Sequence, residues 1–163
     1  MILRDLEQKD AEFMLEWMHD ENVYSNLGKD FSSMTIDDCR NFITASNEDK
    51  ETGRAYAIVD ENDEYMGTIS MKNIDREHKR AEYAISCRTK AMGKGFAKRA
   101  SEEMFRRAVE EYGLDILYLD VYDYNVRAQK LYLKLGFEQV EKPDFIEEEM
   151  DPKLLWFIKK LHD

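Results

Sequence analysis

The stretch Met92-Gly93-Lys94-Gly95-Phe96-Ala97 has the make-up of an anion site. Two glycines flank a lysine and lead straight into a helical run that reaches Tyr112. In that run Ala97, Ala100, Met104, Ala108 and Tyr112 recur at helical spacing, with Glu102, Glu103, Arg106, Arg107 and Glu110 on the other face. Glycine lets backbone N–H groups approach a ligand, because no Cβ stands between them. A helix N-terminus adds orphan N–H donors and a partial positive charge. Together these suit a phosphate, although the same residues also fit an ordinary tight turn before a helix. A second cluster runs from Asn125 to Phe137. Asn125 can cap a helix and bond a ligand amide, and Arg127 and Lys134 can face phosphates. Tyr132 sets a phenol two turns in, on the side of Ala128, while Leu131 and Leu135 hold the helix on a core.

The elements that position these residues follow from patterning. Ile2 to Leu6 alternates as a short strand, and Asp10 is placed to cap a helix with Ala11, Met14, Leu15 and Met18 in one stripe. Asn22 to Ser33 is polar and irregular, with Asn26-Leu27-Gly28 as a loop signal. Thr35-Ile36-Asp37-Asp38 resembles a capping box before a second amphipathic helix that ends near Ser46 to Glu48. Ala55 to Val59 and Tyr65 to Met71 read as a hairpin, and Arg80 to Cys87 as a further strand. Asp115 to Tyr122 is nearly continuously apolar, as in a strand buried on both faces. Asn125 opens a helix stopped by Gly136. Phe137 to Glu141, Phe145 to Glu149 and Lys153 to Leu161 read as strands or strand pieces, the first two interrupted by Lys142-Pro143. The expectation is one mixed α/β domain over residues 1–163, with roughly seven strands and four helices.

The whole chain sets limits. Its 163 residues are enough to bury a core, and 43% hydrophobic residues argue against disorder. With 35 acidic and 24 basic residues the net charge is −11, which disfavours nucleic acid as the partner. It is compatible with cationic small substrates, but a solvated acidic surface that aids solubility is the plainer reading of the same excess. Cys39 and Cys87 fit no metal or redox spacing and read as buried reduced thiols, and His19, His78 and His162 are scattered, so no metal is expected. The first residues lack an apolar signal region and no run is long enough to span a membrane, so a cytoplasmic protein is expected.

Taken together, the two clusters resemble the GNAT superfamily of acyl-CoA-dependent N-acetyltransferases. That family's fourth-helix pattern, Asn-x-x-Ala-x-x-Leu-Tyr-x-x-x-Gly-Phe, is complete here as Asn125, Ala128, Leu131, Tyr132, Gly136 and Phe137. Its loop, Arg/Gln-x-x-Gly-x-Gly/Ala, appears as Met92, Gly95 and Ala97. Met92 departs from the pattern, removing one side chain but leaving the backbone donors. Gly67-Thr68-Ile69 is similar to the family's Ile-Gly-x-Ile strand. The resemblance covers the chain in element order and has the tone of bacterial enzymes acting on ribosomal-protein N-termini, polyamines or other small amines. It implies a mostly antiparallel seven-stranded sheet splayed at its centre. It also implies acetyl-CoA as cosubstrate and an amine acceptor, without metal, nucleic-acid or membrane partner, and a homodimer through the C-terminal strands.

The resemblance further implies that pantetheine pairs with the strand at Ile85 to Cys87. The diphosphate is expected on the N–H groups of Gly93, Lys94, Gly95, Phe96, Ala97 and Lys98, with Lys94, Lys98, Arg127 and Lys134 available to phosphates. A backbone N–H near Ile85 is the expected oxyanion donor, and Tyr132 the acid for the leaving thiolate. An alkyl amine is neutral at pH 7 in only about one part in a few thousand, a handicap of roughly 4–5 kcal/mol. Glu82, three residues before Ile85, is the candidate base, with Asp120 and Asp123 as competitors. Trp17, Tyr24, Phe31, Phe145 and Trp156 are candidate acceptor-site walls, and Glu147, Glu148 and Glu149 candidate ammonium attractors. The alternative is a non-catalytic acyl-CoA-binding or regulatory domain of the same fold; a P-loop nucleotide enzyme is discarded because its motif is absent.

Overall fold

The computed structural model describes residues 2–25, 27 and 31–162. In chain order the elements are β1 (Leu3–Asp5), α1 (Ala11–Met18), α2 (Glu21–Tyr24), α3 (Ile36–Glu48), β2 (Arg54–Val59), β3 (Tyr65–Asp75) and β4 (Arg80–Cys87). They continue as α4 (Phe96–Tyr112), β5 (Ile116–Tyr122), α5 (Val126–Lys134), β6 (Glu138–Val140) and β7 (Leu154–Lys160). The strands form one seven-stranded sheet in the order β1-β2-β3-β4-β5-β7-β6. Among the described residues only β4 and β5 run parallel; every other pair is antiparallel. The fold is therefore the mixed α/β sheet that the motifs implied.

Cross-strand partners share a face, so the register assigns each side chain to one side of the sheet. Tyr83, Leu117, Leu119 and Phe157 join Ala100, Met104 and Ala108 of α4 and Tyr132 of α5 in one core. On the opposite face Ala55, Ala57, Val59 and Tyr65 pack against Met14, Trp17 and Met18 of α1 and Cys39 and Ile43 of α3. The register Ala57↔Thr68↔Ser86 and Glu82↔Tyr118 puts Ser86, Glu82, Tyr118 and Asp120 on this same face, beyond the cover of α1 and α3. That half of the face is left to the 141–153 loop.

Local chemistry explains most boundaries. Thr35 and Asp38 form the expected capping box at α3, each side chain bonding the other's backbone N–H. Gly113, at φ 65°, closes α4, and Gly136, at φ 92°, follows α5. Four readings change. Asp10 precedes α1 but does not cap it: its carboxylate takes the Glu7 N–H at 2.8 Å and the Arg4 guanidinium at 2.8 and 2.9 Å. Part of the stretch read as irregular forms α2, capped by Asp20 accepting from Asn22 N–H; of Asn26-Leu27-Gly28, the two outer residues lie outside the described residues. β3 runs on past Met71 to Asp75 because β4 continues to pair with it. Phe145 to Glu149 is not a strand. Between Pro143 and Pro152 the chain turns, with Ile146 N–H bonded to Pro143 C=O. Phe145 lies instead between the Arg80 guanidinium, 4.0 Å from its ring centroid, and Tyr118, at 4.9 Å.

Candidate active site

The site begins where two parallel strands part. β4 and β5 pair only at Arg80↔Ile116, Ala81↔Leu117 and Glu82↔Tyr118. Beyond these, β4 runs to Cys87 and β5 to Tyr122 with no ladder between them, which leaves a fork. Ala81 and Tyr83 are buried, whereas every residue from Ala84 to Cys87 is half-buried. The open edge of this tine is therefore accessible to a ligand that pairs as a strand would. Gly67 allows the close approach of β3 to the tip of this tine, since a Cβ there would lie 2.5 Å from Ser86 C=O and 3.2 Å from Cys87 Sγ.

β4 leads through a short 3-10 turn, Thr89–Ala91, into the glycine loop. Gly93 and Gly95 both adopt left-handed backbone, at φ 76° and 83°, and Gly95 is the N-cap of α4. A Cβ built at either would meet no atom within 4 Å. Glycine is thus required by the backbone turn and not by crowding, and the space above the loop is open. Left-handed residues beside a helix start turn successive N–H groups to one side, a concavity that suits an anion. Residues 88–101 hold five basic and no acidic side chains, in a chain that is otherwise strongly acidic. These residues fit the diphosphate of an acyl-CoA. Lys94 and Lys98 flank the loop on exposed positions, Lys98 lying 3.9 Å from Glu102. Arg127 reaches the loop, its Nη1 lying 3.0 Å from Met92 Sδ. Lys134 sits seven residues further along α5, about 10 Å down its axis, and does not join this group.

α5 starts beside the fork. Asn125 is buried and its Oδ1 accepts from Ala128 N–H at 3.2 Å, so the side-chain carbonyl serves as a cap. Ala128 is half-buried against the core. Tyr132 is 8% exposed, its ring edge-on to Tyr83 at 6.0 Å and to Phe137 at 5.7 Å. Neighbouring Tyr83 bonds Ser101 Oγ at 2.5 Å, but among the described residues the Tyr132 hydroxyl has no partner. Burial, then the proximity of Cys87 and Asp120, holds the phenol above its ordinary pKa. It is a protonated donor that borders both tines. Cys87 is likewise pushed up to about 11, by burial against a smaller opposing pull from Arg127. Both Cys39 and Cys87 are free thiols.

On the other side of the fork a cavity of about 430 Å³ collects Asp75, Glu82, Asp120 and Glu148 with Tyr118, Phe145 and Trp156. Glu82 ends the paired segment and is engaged by Lys72, at 3.1 Å, and Asn73, at 3.4 Å. Asp120 lies two residues past the last β4–β5 pair, and burial followed by the charge of Glu82 raises its pKa. Asp123 is exposed beyond the end of β5 and does not line this cavity. Of the walls suggested by sequence, Phe145, Trp156 and Glu148 are here. Trp17 and Phe31 are not: Trp17 is core, donating to Tyr65 Oη at 3.0 Å, and Phe31 packs edge-on against it. Tyr24, Glu147 and Glu149 are also absent from the lining.

Sequence reasoning overlooked Arg88. It is buried just past the β4 tip and donates to both Glu16 oxygens, at 2.7 and 3.0 Å, and to Glu64 and Tyr65 C=O, each at 2.8 Å. Its guanidinium also stacks on Phe13, 4.4 Å from the centroid. α1, β3 and the segment between fork and loop are thereby tied together. No spacing in the chain signals this, because its partners are 72 and 24 residues away.

A fork in mid-sheet, a glycine loop at one tine and a phenol beneath define an acyl-CoA-dependent acyltransferase. The acetyltransferase (GNAT) domain model matches residues 1–138, and the chain belongs to that family. It is similar to an uncharacterised N-acetyltransferase p20 of Bacillus licheniformis, 27% identical over 85% of this chain and 79% of that one. It is also similar to the spermidine N(1)-acetyltransferase of Escherichia coli K12, 34% identical over 49% of this chain and 43% of that one. Among solved structures, spermidine N-acetyltransferase from Vibrio cholerae in complex with CoA and spermine superposes with a TM-score of 0.80 at 23% identity, over 98% and 94% of the two chains. That likeness speaks to the fold.

Proposed function

We propose that the protein transfers acetyl from acetyl-CoA to a primary amine borne by a small aliphatic cation of the polyamine class, by direct attack within the fork. The observation that carries this reading is the buried Tyr132 hydroxyl, unpartnered among the described residues and close to Cys87 of the β4 tine and Asp120 of the β5 tine, with the acidic cavity on the other side of the fork. Aromatic walls with several carboxylates suit a flexible alkyl ammonium. Relatives that act on spermidine support the same class.

The cosubstrate supplies an activated thioester, and the chain's own residues do the rest. Gly93 to Lys98 hold the diphosphate end through backbone N–H groups, and the open edge from Ile85 to Cys87 aligns the thioester arm. A strand N–H near Ile85 donates to the acyl oxygen as negative charge develops on it. Glu82 and Asp120 attract the ammonium, and Asp120 is the favoured base, since its raised pKa brings it closer to working pH. As the C–N bond forms and the C–S bond breaks, Tyr132 gives its proton to the departing sulfur. Homodimerisation through β6 and β7 belongs to this proposal too; one similar V. cholerae enzyme is dodecameric.

The deciding experiment is thiol release from acetyl-CoA across polyamines, amino sugars and peptide N-termini, with wild type and Tyr132→Phe. The expected result is turnover with polyamines and a loss of about 10²–10⁴ in kcat for Tyr132→Phe at unchanged CoA affinity. Full activity in Tyr132→Phe would remove the phenol from the mechanism, and turnover confined to peptide N-termini would overturn the acceptor class.

A further inference from the structure

Beside the acidic cavity lies a second one, of about 380 Å³, between the ends of β6 and β7 and the 141–153 loop. Met150 and Trp156 are walls of both. Asp120 on β5, Trp156 on β7 and Val140 on β6 are successive cross-strand partners, so their side chains share one face. Neighbouring strands lie about 4.8 Å apart, which puts the Val140 position about 10 Å from Asp120, the reach of some eight bonds of an extended aliphatic chain. Glu141 and Asp151 line the second cavity. Among the described residues Glu141 has no ion pair, and Asp151 takes only the Lys153 N–H, at 2.9 Å. Lys142, on the same lining, gives its Nζ to Glu148 C=O at 2.8 Å.

The wall between the cavities carries a sign independent of these acids. Trp156 is 6% exposed, yet its indole N–H has no acceptor among the described residues. Trp17, equally buried, donates to Tyr65 Oη at 3.0 Å. A buried indole N–H ordinarily finds a partner. Among the described residues the one buried side-chain polar atom both sealed from solvent and unpartnered is Arg54 Nη1. The Trp156 N–H therefore opens into the space that its ring borders.

We propose that the two cavities form one acceptor site for a linear dication with a hydrogen-bond acceptor in mid-chain. The amine to be acetylated lies at Asp120, the Trp156 N–H donates to an oxygen or a neutral amine in the chain, and a distal ammonium lies at Glu141 and Asp151. Positive charge on either side favours the neutral form of an internal amine. The indole face attracts the cationic chain as it passes, and Met150, unbranched and adaptable, completes the partition. This inference rests on the polyamine reading of the first cavity.

Thiol release from acetyl-CoA with four amines tests it. Terminal diaminobutane is too short to pass Trp156, and terminal diaminooctane is long enough. Two more amines of the octane's length carry mid-chain acceptors, one as ether oxygens and one as a secondary amine. Wild type should favour the long amines over diaminobutane by about tenfold or more in kcat/KM, as one added charged contact gives. Glu141→Gln/Asp151→Asn should bring that ratio close to unity, and since both positions are exposed its Tm should match wild type. Trp156→Phe keeps a ring and removes the donor, and should cost the ether or the triamine about fivefold more than diaminooctane. Extra loss with the ether alone supports the donor and assigns an oxygen acceptor; extra loss with the triamine supports it and assigns a neutral amine. A length ratio that survives the acid substitutions would overturn the second cavity as a subsite. Equal losses for all long amines in Trp156→Phe would overturn the donor. Either result leaves the reading of the first cavity standing, whereas no turnover with any of the four amines would overturn that reading as well.

Discussion

The glycine loop and the acidic cavity lie on opposite sides of one fork and are built by opposite rules. The loop is a local object. Its donors are backbone N–H groups of consecutive residues, its shape comes from two left-handed glycines, and its basic side chains lie within residues 88–101. The cavity is assembled from afar: Asp75, Glu82, Asp120 and Glu148 come from β3, β4, β5 and the 141–153 loop. Backbone donors are indifferent to the rest of the ligand, which suits a cosubstrate shared by a whole family. Side-chain carboxylates on separate segments can be exchanged one at a time, which suits an acceptor that differs between relatives.

The sharpest way to break this comparison is to remove acids from the cavity. Asp120→Asn/Glu148→Gln should lower kcat/KM for the amine by about a hundredfold, at roughly 1.4 kcal/mol for each lost interaction with a charged group, while CoA affinity holds. A parallel fall in CoA affinity would show that the two sites are one. Next in size is Arg88→Met, which cuts the knot between them. Losing its charge-assisted bonds should cost roughly 2 kcal/mol, or about 4–8 °C in Tm for a domain of this size, and should disturb the KM of both substrates. An unchanged Tm would make the knot ornamental.

A gentler break is Gly95→Ala. A left-handed alanine costs about 1 kcal/mol, so CoA should bind about fivefold more weakly at unchanged amine KM. The smallest effect concerns pH. The pKa of Asp120 is raised in the fold, so its protonated form is favoured there and its contribution to stability is present below the ordinary carboxylate range. That contribution is lost as pH rises through the folded pKa. Asp120→Asn should therefore raise Tm at pH 7 relative to wild type and leave it unchanged near pH 3, as thermal melts at both pH values will show.

Sequence by itself determined the turn of the glycine loop, α4, α5 and the buried strand between these helices. Their signals are short-range: glycine φ preferences, helical periodicity, a capping asparagine and an apolar run bounded by turns. The position of Tyr132 on α5 was legible for the same reason, since the pattern that contains it is confined to one helix. The role of Asp10 was misread because its carboxylate had a choice between a helix N-terminus and an arginine, and Arg4 with Glu7 N–H won. Phe145 to Glu149 read as a strand piece but pairs with no strand, and Phe145 packs instead between Arg80 and Tyr118. Tertiary structure alone decided that β4 and β5 part after Glu82↔Tyr118, that Trp17 goes to the core and Trp156 to the cavity, and that Arg88 and Arg127 find their partners. Each of these depends on which residues far apart in the chain share a face or a gap, and no local preference of the backbone carries that information.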